Sequence, residues 1–194
     1  MSSTDTNQIK AAHERFLSWI FSVDDGPNHP LKISKDGEAQ ERIGNILILA
    51  GSLQGGGQKD RSLRIPAGVE SIFVLADDIV FTNADGDGTS DQDLIKKADE
   101  DIRDGKGKVK VSHNDKSQKV DLLEPHSFML NIQKVIDGTG NKGKGEGTLP
   151  NGNAPGHTRA AAACYYAIIR ADSLNLGDRI KISGRGINVT YTVK

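Results

Sequence analysis

The segment from Ser71 to Phe81 reads Ser-Ile-Phe-Val-Leu-Ala-Asp-Asp-Ile-Val-Phe, a long and mostly apolar run. A strand with one face in water alternates apolar and polar residues, whereas a strand buried on both faces does not. This run alternates only weakly, so we predict that it forms a central strand of a sheet. Pro66-Ala67-Gly68, just before it, predicts a turn.

A loop rich in side-chain oxygens follows this strand. Gly88 sits inside the loop, as in a calcium-binding loop, but Leu94 stands where an EF-hand places its bidentate glutamate. The spacing still predicts a calcium site, with these ligands: Asn83, Asp85, Asp87, Asp91 and Asp93. A second interpretation needs no metal, because acidic residues stabilise a helix N-terminus and Asp-Gly pairs form turns.

A helix is predicted from about Ser90 to Arg103. Ser90 is a typical N-cap residue, and Asp93, three residues later, replaces the glutamate of a capping box. Gly105 is expected to end the helix.

An amphipathic helix is also predicted near the N-terminus, over residues 8–22. Apolar residues recur there at helical spacing, and His13 lies at the edge of the apolar stripe, where we expect a packed, hydrogen-bonded histidine rather than a ligand. Two prolines and a glycine follow. We expect residues 1–30 to form a helix and linker that dock on a body formed by residues 31–194.

Short apolar runs separated by glycine-rich turns fill that body. With one helix ahead of them and one short helix inserted, they predict a mainly β fold, an antiparallel β-sandwich of the jelly-roll type. Residues 137–157 are rich in glycine and almost free of apolar residues, so a long loop is expected there.

Composition limits the function classes. The chain has 194 residues, and 25 Lys and Arg balance 26 Asp and Glu. No overall field therefore favours nucleic acid, and we expect no nucleic-acid partner. No apolar run approaches the roughly 20 residues that cross a bilayer. The N-terminus predicts a cytoplasmic protein if it is native, and a secreted one if a signal peptide has been removed. Cys164 lies in an apolar run, which predicts a buried, inert thiol.

These features favour a non-catalytic domain that binds calcium and presents its loops to a protein or a small molecule. A self-assembling subunit is also compatible with them. The alternative is a small cyclase, isomerase or hydrolase with a cavity between its sheets. Its acids and bases would come from three pairs of candidates: Asp77 or Asp78, His126 or His157, and Tyr165 or Tyr166.

Overall fold

The computed structural model describes residues 6–23, 29–32, 39–51, 58–82, 90–132 and 156–194. In these residues ten strands and two α-helices follow one another. In chain order they are α1 (Thr6–Ile20), β1 (Gln40–Ile43), β2 (Ile46–Leu49), β3 (Gln58–Leu63), β4 (Ser71–Thr82), α2 (Asp91–Asp104), β5 (Lys110–His113), β6 (Lys116–Ser117), β7 (Asp121–Ile132), β8 (Gly156–Arg170), β9 (Arg179–Gly184) and β10 (Ile187–Val193). The fold is mainly β, as the sequence predicts.

The strands form two five-stranded sheets. Sheet A has the order β1-β2-β4-β8-β7, and sheet B has the order β3-β10-β9-β5-β6. β4 therefore lies in the middle of sheet A, which confirms the prediction of a central strand.

Both sheets are mixed, so the prediction of purely antiparallel sheets is wrong. β2 pairs with β4 in parallel, and β3 pairs with β10 in parallel. The chain leaves sheet A after β2, contributes β3 to sheet B and then returns as β4, which gives the long crossover connection that a parallel pair of strands needs. The jelly-roll connectivity is not confirmed.

The two helices cover opposite faces of sheet A. α2 packs on Ala161 of β8, whereas His13 of α1 interacts with Cys164 of the same strand. Ala161 and Cys164 are an odd number of residues apart, so their side chains point to opposite faces of the sheet. Ala161 is small, and it leaves room for Leu94 and Ala98 of α2 to pack closely.

Helix α1 confirms the amphipathic prediction, although it begins and ends two residues earlier than expected. The side chains on its apolar stripe are buried, among them Ile9, Phe16 and Ile20. Trp19, on the same stripe, is only partly buried and meets Phe16 edge to face, with ring centroids 6.0 Å apart. The stripe joins the main apolar core.

Helix α2 confirms the predicted N-cap. The Ser90 side chain accepts a hydrogen bond from the Asp93 backbone N–H, and the Asp93 carboxylate accepts one from the Ser90 backbone N–H. The helix ends at Asp104 and Gly105 is its C-cap, as predicted. Gly105 has φ −77°, a conformation open to any residue, so the glycine is not required there by a left-handed backbone.

Strand β7 continues through a proline, Pro125. Its pairing with β8 shifts register between Leu123 and His126. Pro125 lies within this irregularity and has no N–H to contribute, and β7 is an edge strand, where a proline is tolerated. Because one continuous strand spans the proline, Leu123 and His126 both belong to β7.

Two turns connect neighbouring strands as two-residue hairpins. Asn114 and Asp115 both have positive φ and form the hairpin turn between β5 and β6. Arg185 and Gly186 form an equivalent turn between β9 and β10.

The predicted glycine-rich loop lies mostly outside the described residues. Its last two residues, Gly156 and His157, already pair with β7 and belong to β8, so the loop ends earlier than predicted. The domain division at residue 30 stays a prediction. Neither described helix has the length and apolar composition that crossing a bilayer requires.

Candidate functional site

Three of the five predicted calcium ligands, Asn83, Asp85 and Asp87, lie outside the described residues. The other two, Asp91 and Asp93, are in the first turn of α2, and each has another partner. Asp93 Oδ2 accepts a 2.7 Å hydrogen bond from the Ser90 hydroxyl, and Asp91 Oδ1 lies 3.2 Å from Arg159 Nη1. Within the described ranges, no group of three or more His, Cys, Asp or Glu side chains is arranged to hold a metal ion.

A cluster of polar side chains lies instead between α1 and sheet A. We call it the α1 cluster and define it by these members: His13 and Glu14 from α1, Asp78 from β4, His126 from β7 and Cys164 from β8. His13 and Cys164 are fully buried, and His126 is nearly so. Asp78 and Glu14 are partly exposed, with 20% and 40% of their side-chain surfaces accessible. One side of the cluster therefore reaches the surface.

Strand register and helix spacing bring these residues together. Asp78 and Cys164 are paired directly across β4 and β8, and His126 pairs with Ala162, two residues before Cys164 on β8. All three side chains therefore point to one face of sheet A. His13 follows Ile9 by one helical turn, so it points from the buried stripe of α1 toward the same face.

His13 makes the strongest contact in the cluster. Its Nε2 atom and Asp78 Oδ1 are joined by a 2.7 Å hydrogen bond. Burial disfavours the charged imidazole, but the neighbouring Cys164 thiol and Asp78 carboxylate overcome that effect and raise the pKa of His13 well above its ordinary value. His13 is thus the packed, hydrogen-bonded histidine that the sequence predicts.

His126 has the opposite electrostatic character. Burial, the positive charge of His13 and that of Lys10 lower the pKa of His126 to about 4. Its ring lies 5.5 Å from the His13 ring and stacks on Phe128. Its Nδ1 atom contacts the carbonyl oxygen of Glu124 at 3.3 Å. His126 is therefore neutral at pH 7, beside a histidine whose pKa is raised.

Two ring nitrogens of the cluster lack ordinary hydrogen bonds. Among the described residues, neither His13 Nδ1 nor His126 Nε2 has a partner of normal hydrogen-bond geometry. The nearest acidic group to His126 Nε2 is Glu14, whose Oε1 atom is 3.8 Å away. The cluster thus holds polar atoms whose hydrogen-bonding capacity is unused.

The Cys164 thiol is not activated. A thiol, an imidazole and a carboxylate are the groups that nucleophilic catalysis by cysteine combines. Burial raises the pKa of the Cys164 thiol, although His13 opposes this effect. A nucleophilic cysteine requires a lowered pKa and access to substrate. Cys164 has neither, in keeping with the inert thiol that the sequence predicts.

The residues of the enzyme alternative do not converge on one place. Asp78 and His126 meet in the α1 cluster. Asp77 points to the other face of sheet A, where its Oδ2 atom lies 2.9 Å from Arg185 Nη1. Tyr165 pairs with Asp77 across the strands, and His157 is exposed.

Packing against a neighbouring aromatic ring fixes the position of the Tyr166 side chain. Its ring stacks on Phe73 of β4, with centroids 5.2 Å apart. Tyr166 follows Cys164 by two residues and so lies on the same face of β8, and burial, Asp121 and Cys164 together raise the pKa of Tyr166.

Sequence reasoning misses three members of the cluster: His13 as the partner of Asp78, Cys164 as a neighbour of His13, and Glu14 beside His126. The available signals are a histidine on an apolar helical stripe and an Asp-Asp pair inside a buried strand. Each indicates a buried polar group that needs a partner, since buried polar groups are nearly always hydrogen-bonded. The partner itself comes from another element, so the sequence does not identify it.

The chain matches no family model, no curated protein and no solved structure in comparisons with known proteins.

Proposed function

We propose that this protein is a non-catalytic binding or interaction domain, built as a β-sandwich and stabilised by calcium at the joint between β4 and α2. The observation that carries the non-catalytic part is the burial of the α1 cluster. The Cys164 thiol and the His13 imidazole in this cluster are both fully buried. Groups that react with a substrate must be reachable, whereas groups that hold a helix on a sheet need not be.

The sandwich arrangement has support from contacts between the sheets. The Tyr191 hydroxyl of β10 is 2.7 Å from the Ala50 carbonyl oxygen, directly after β2. Arg61 of β3 donates to the same oxygen at 2.9 Å and to the Gly51 carbonyl at 2.8 Å. Side chains of both sheets also share one apolar core, including Ile48 of β2 and Val189 of β10.

The calcium part rests on the ligand spacing and on where the loop is anchored. The loop joins the end of β4 to the N-cap of α2, so a metal held by Asn83, Asp85 and Asp87 would fix the angle between a central strand and a helix. Asp91 and Asp93 would complete the site from the first turn of α2. Calcium binding by Asp91 would compete with Arg159, which now lies 3.2 Å from it.

The occupant of the binding surface belongs to one of two classes, a protein or a small molecule. The net charge of the chain is near zero, so it gives no reason to expect nucleic acid as the binding partner. The loops at the ends of a sandwich are the usual place for such recognition, because a rigid scaffold positions them.

Cys164 provides the test of the non-catalytic proposal, since it is the only cysteine in the chain. A small disulfide reagent at pH 7 should label native Cys164 at least about 1,000-fold more slowly than it labels the urea-unfolded chain, because labelling requires local opening of the fold. The matched control is Ser117→Cys in a Cys164→Ala background, which places a thiol on the exposed strand β6 and should react at nearly the unfolded rate. Native labelling of Cys164 within about tenfold of the unfolded rate would contradict the proposal.

An enzyme remains the second candidate, and one observation favours it. Asp78 and His126, two of its candidate acid–base residues, lie in one cluster whose edge is partly exposed. Rapid labelling of Cys164 would show that small molecules reach this cluster, and a substrate search would then be directed at it.

A further inference from the structure

The interface between α1 and sheet A contains two buried histidine rings, His13 and His126, whose centroids lie 5.5 Å apart, and among the described residues Nε2 of His126 has no hydrogen-bond partner of ordinary geometry. We propose that the pair of His13 and His126 makes the docking of α1 pH-sensitive, so that acid weakens the attachment of the helix to sheet A. The inference concerns a built-in conformational device and does not depend on calcium or on any partner.

Each element packed at this position contributes titratable or charged groups. Helix α1 contributes Lys10 and Glu14 besides His13. Strand β4 contributes Asp78, β8 contributes Cys164, and β7 contributes His126. Of these, Asp78 attracts a charge on either histidine, and Glu14 Oε1 lies 3.8 Å from His126 Nε2. His13 and Lys10 oppose a charge on His126, and together with burial they outweigh this attraction.

The direction of the effect follows from the two states of His126. With α1 docked, burial first and then the charges of His13 and Lys10 lower the pKa of His126 to about 4. With α1 released, the ring is exposed to water and its pKa returns toward the ordinary 6.5. The released state therefore binds the proton more tightly, and docking weakens as pH falls from 6.5 to about 4.

Proton linkage also sets the size of the effect. Each unit of pKa difference corresponds to a tenfold change in the docking equilibrium, so acid weakens docking by about 300-fold at most. The buried stripe of Ile9, Phe16 and Ile20 continues to hold the helix. We therefore expect a larger population of opened molecules in acid, rather than complete release.

His13 has the opposite dependence. Its raised pKa means that its contribution is fully present below the ordinary value of 6.5 and is lost as pH rises through the folded-state value. Of the two histidines, only His126 therefore weakens docking in acid, and their combined contribution to docking is largest near pH 6.5, the ordinary pKa of both rings.

Opening can be measured through the Cys164 thiol, which faces the same buried interface. A dithiodipyridine reagent, whose reaction with thiols proceeds in acid, is used between pH 7 and 4. The labelling rate of the native chain is divided at each pH by that of the urea-unfolded chain. This ratio reports the open population when closing is faster than labelling. Trp19, the only tryptophan and a residue of α1, gives an independent fluorescence signal for the helix.

The parent protein and His157→Asn should both show a rate ratio that rises as pH falls, by about 300-fold at most. His157 is the matched control, since it is exposed and outside the cluster. His126→Asn and His126→Phe should remove the rise, because neither side chain titrates in this range. Circular dichroism of the β-sheets should stay constant throughout.

Three results would overturn the proposal: no rise in the parent, an equal rise in both His126 variants, or a rise that accompanies loss of the β-sheet signal. The last result would mean that the whole fold opens rather than the helix. Two different His126 substitutions are included so that a folding defect in one leaves the other as the test.

Discussion

The Nε2 atom of His13 on α1 lies 2.7 Å from Oδ1 of Asp78 on the central strand of sheet A. This contact joins the N-terminal helix to the middle of the β fold through a charge-assisted hydrogen bond. It lies beside Cys164 and His126, so the polar part of the helix interface is concentrated at one place. Several predictions about stability depend on this arrangement.

Asp78→Asn should lower the free energy of unfolding by about 2 kcal/mol, because a hydrogen bond to a charged group is lost at a largely buried site. For a chain of this size the melting temperature should fall by roughly 6 °C. Asp99→Asn is the control, since Asp99 forms an exposed ion pair with Arg103 and should matter far less. Equal effects of the two substitutions would contradict the assigned role of Asp78.

The same variant should change how stability depends on pH. In the parent, the raised pKa of His13 gives stability that is present at pH 6.5 and declines as pH rises through the folded-state value. Without the Asp78 carboxylate the pKa of His13 falls, so the Asp78→Asn variant should show less of this decline. Denaturant unfolding at a series of pH values measures it, and NMR titration of the histidine ring protons locates the pKa.

Ser90→Ala should destabilise the protein by about 1 kcal/mol, because the substitution removes the side chain that caps α2. Ser90→Thr should retain most of the stability, since threonine also offers a hydroxyl oxygen to the Asp93 N–H. Ser117→Ala, on the exposed strand β6, is the control substitution. If Ser90→Ala matches that control in a thermal melt, the cap contributes nothing to stability.

Gly105→Ala should also destabilise the protein, by about 2 kcal/mol from overpacking. An added Cβ would lie 2.8 Å from Asp77 Oδ2 and 2.9 Å from Arg185 Nη1, so it would disturb a buried ion pair. Gly51→Ala is the matched control, because among the described residues its Cβ would meet only the Leu75 carbonyl oxygen, at 3.4 Å. A neutral Gly105→Ala would show that the pair can move aside.

Local patterns in the sequence predict much of the fold. The weakly alternating run of β4 identifies a central strand, the stripe of α1 identifies its buried face, and Ser90 with Asp93 identifies the start of α2. Each of these signals lies within a few residues of the feature that it predicts. Gly105 is a different case. It ends the helix as expected, but a Cβ at this position would contact the side chains of Asp77 and Arg185, which are distant in the sequence.

The features that sequence reasoning misses depend on distant parts of the chain. β2 and β4 pair in parallel, and the chain between them contributes β3 to the other sheet. The contact between His13 and Asp78 joins residues 65 positions apart. A buried histidine and a buried aspartate each signal that a partner is required, but only the packing of α1 on sheet A determines that they serve each other.

Calcium stabilisation is the central claim of the proposed function, and a thermal melt tests it most directly. The parent, Asp85→Ala, Asp87→Ala and the control Asp99→Ala would be melted in calcium, in magnesium and with a chelator. We predict that calcium raises the melting temperature of the parent and of Asp99→Ala more than magnesium does, and leaves both loop variants unchanged, because only a ligand bound to the folded state stabilises it. An equal melting temperature for the parent in all three conditions would contradict the claim.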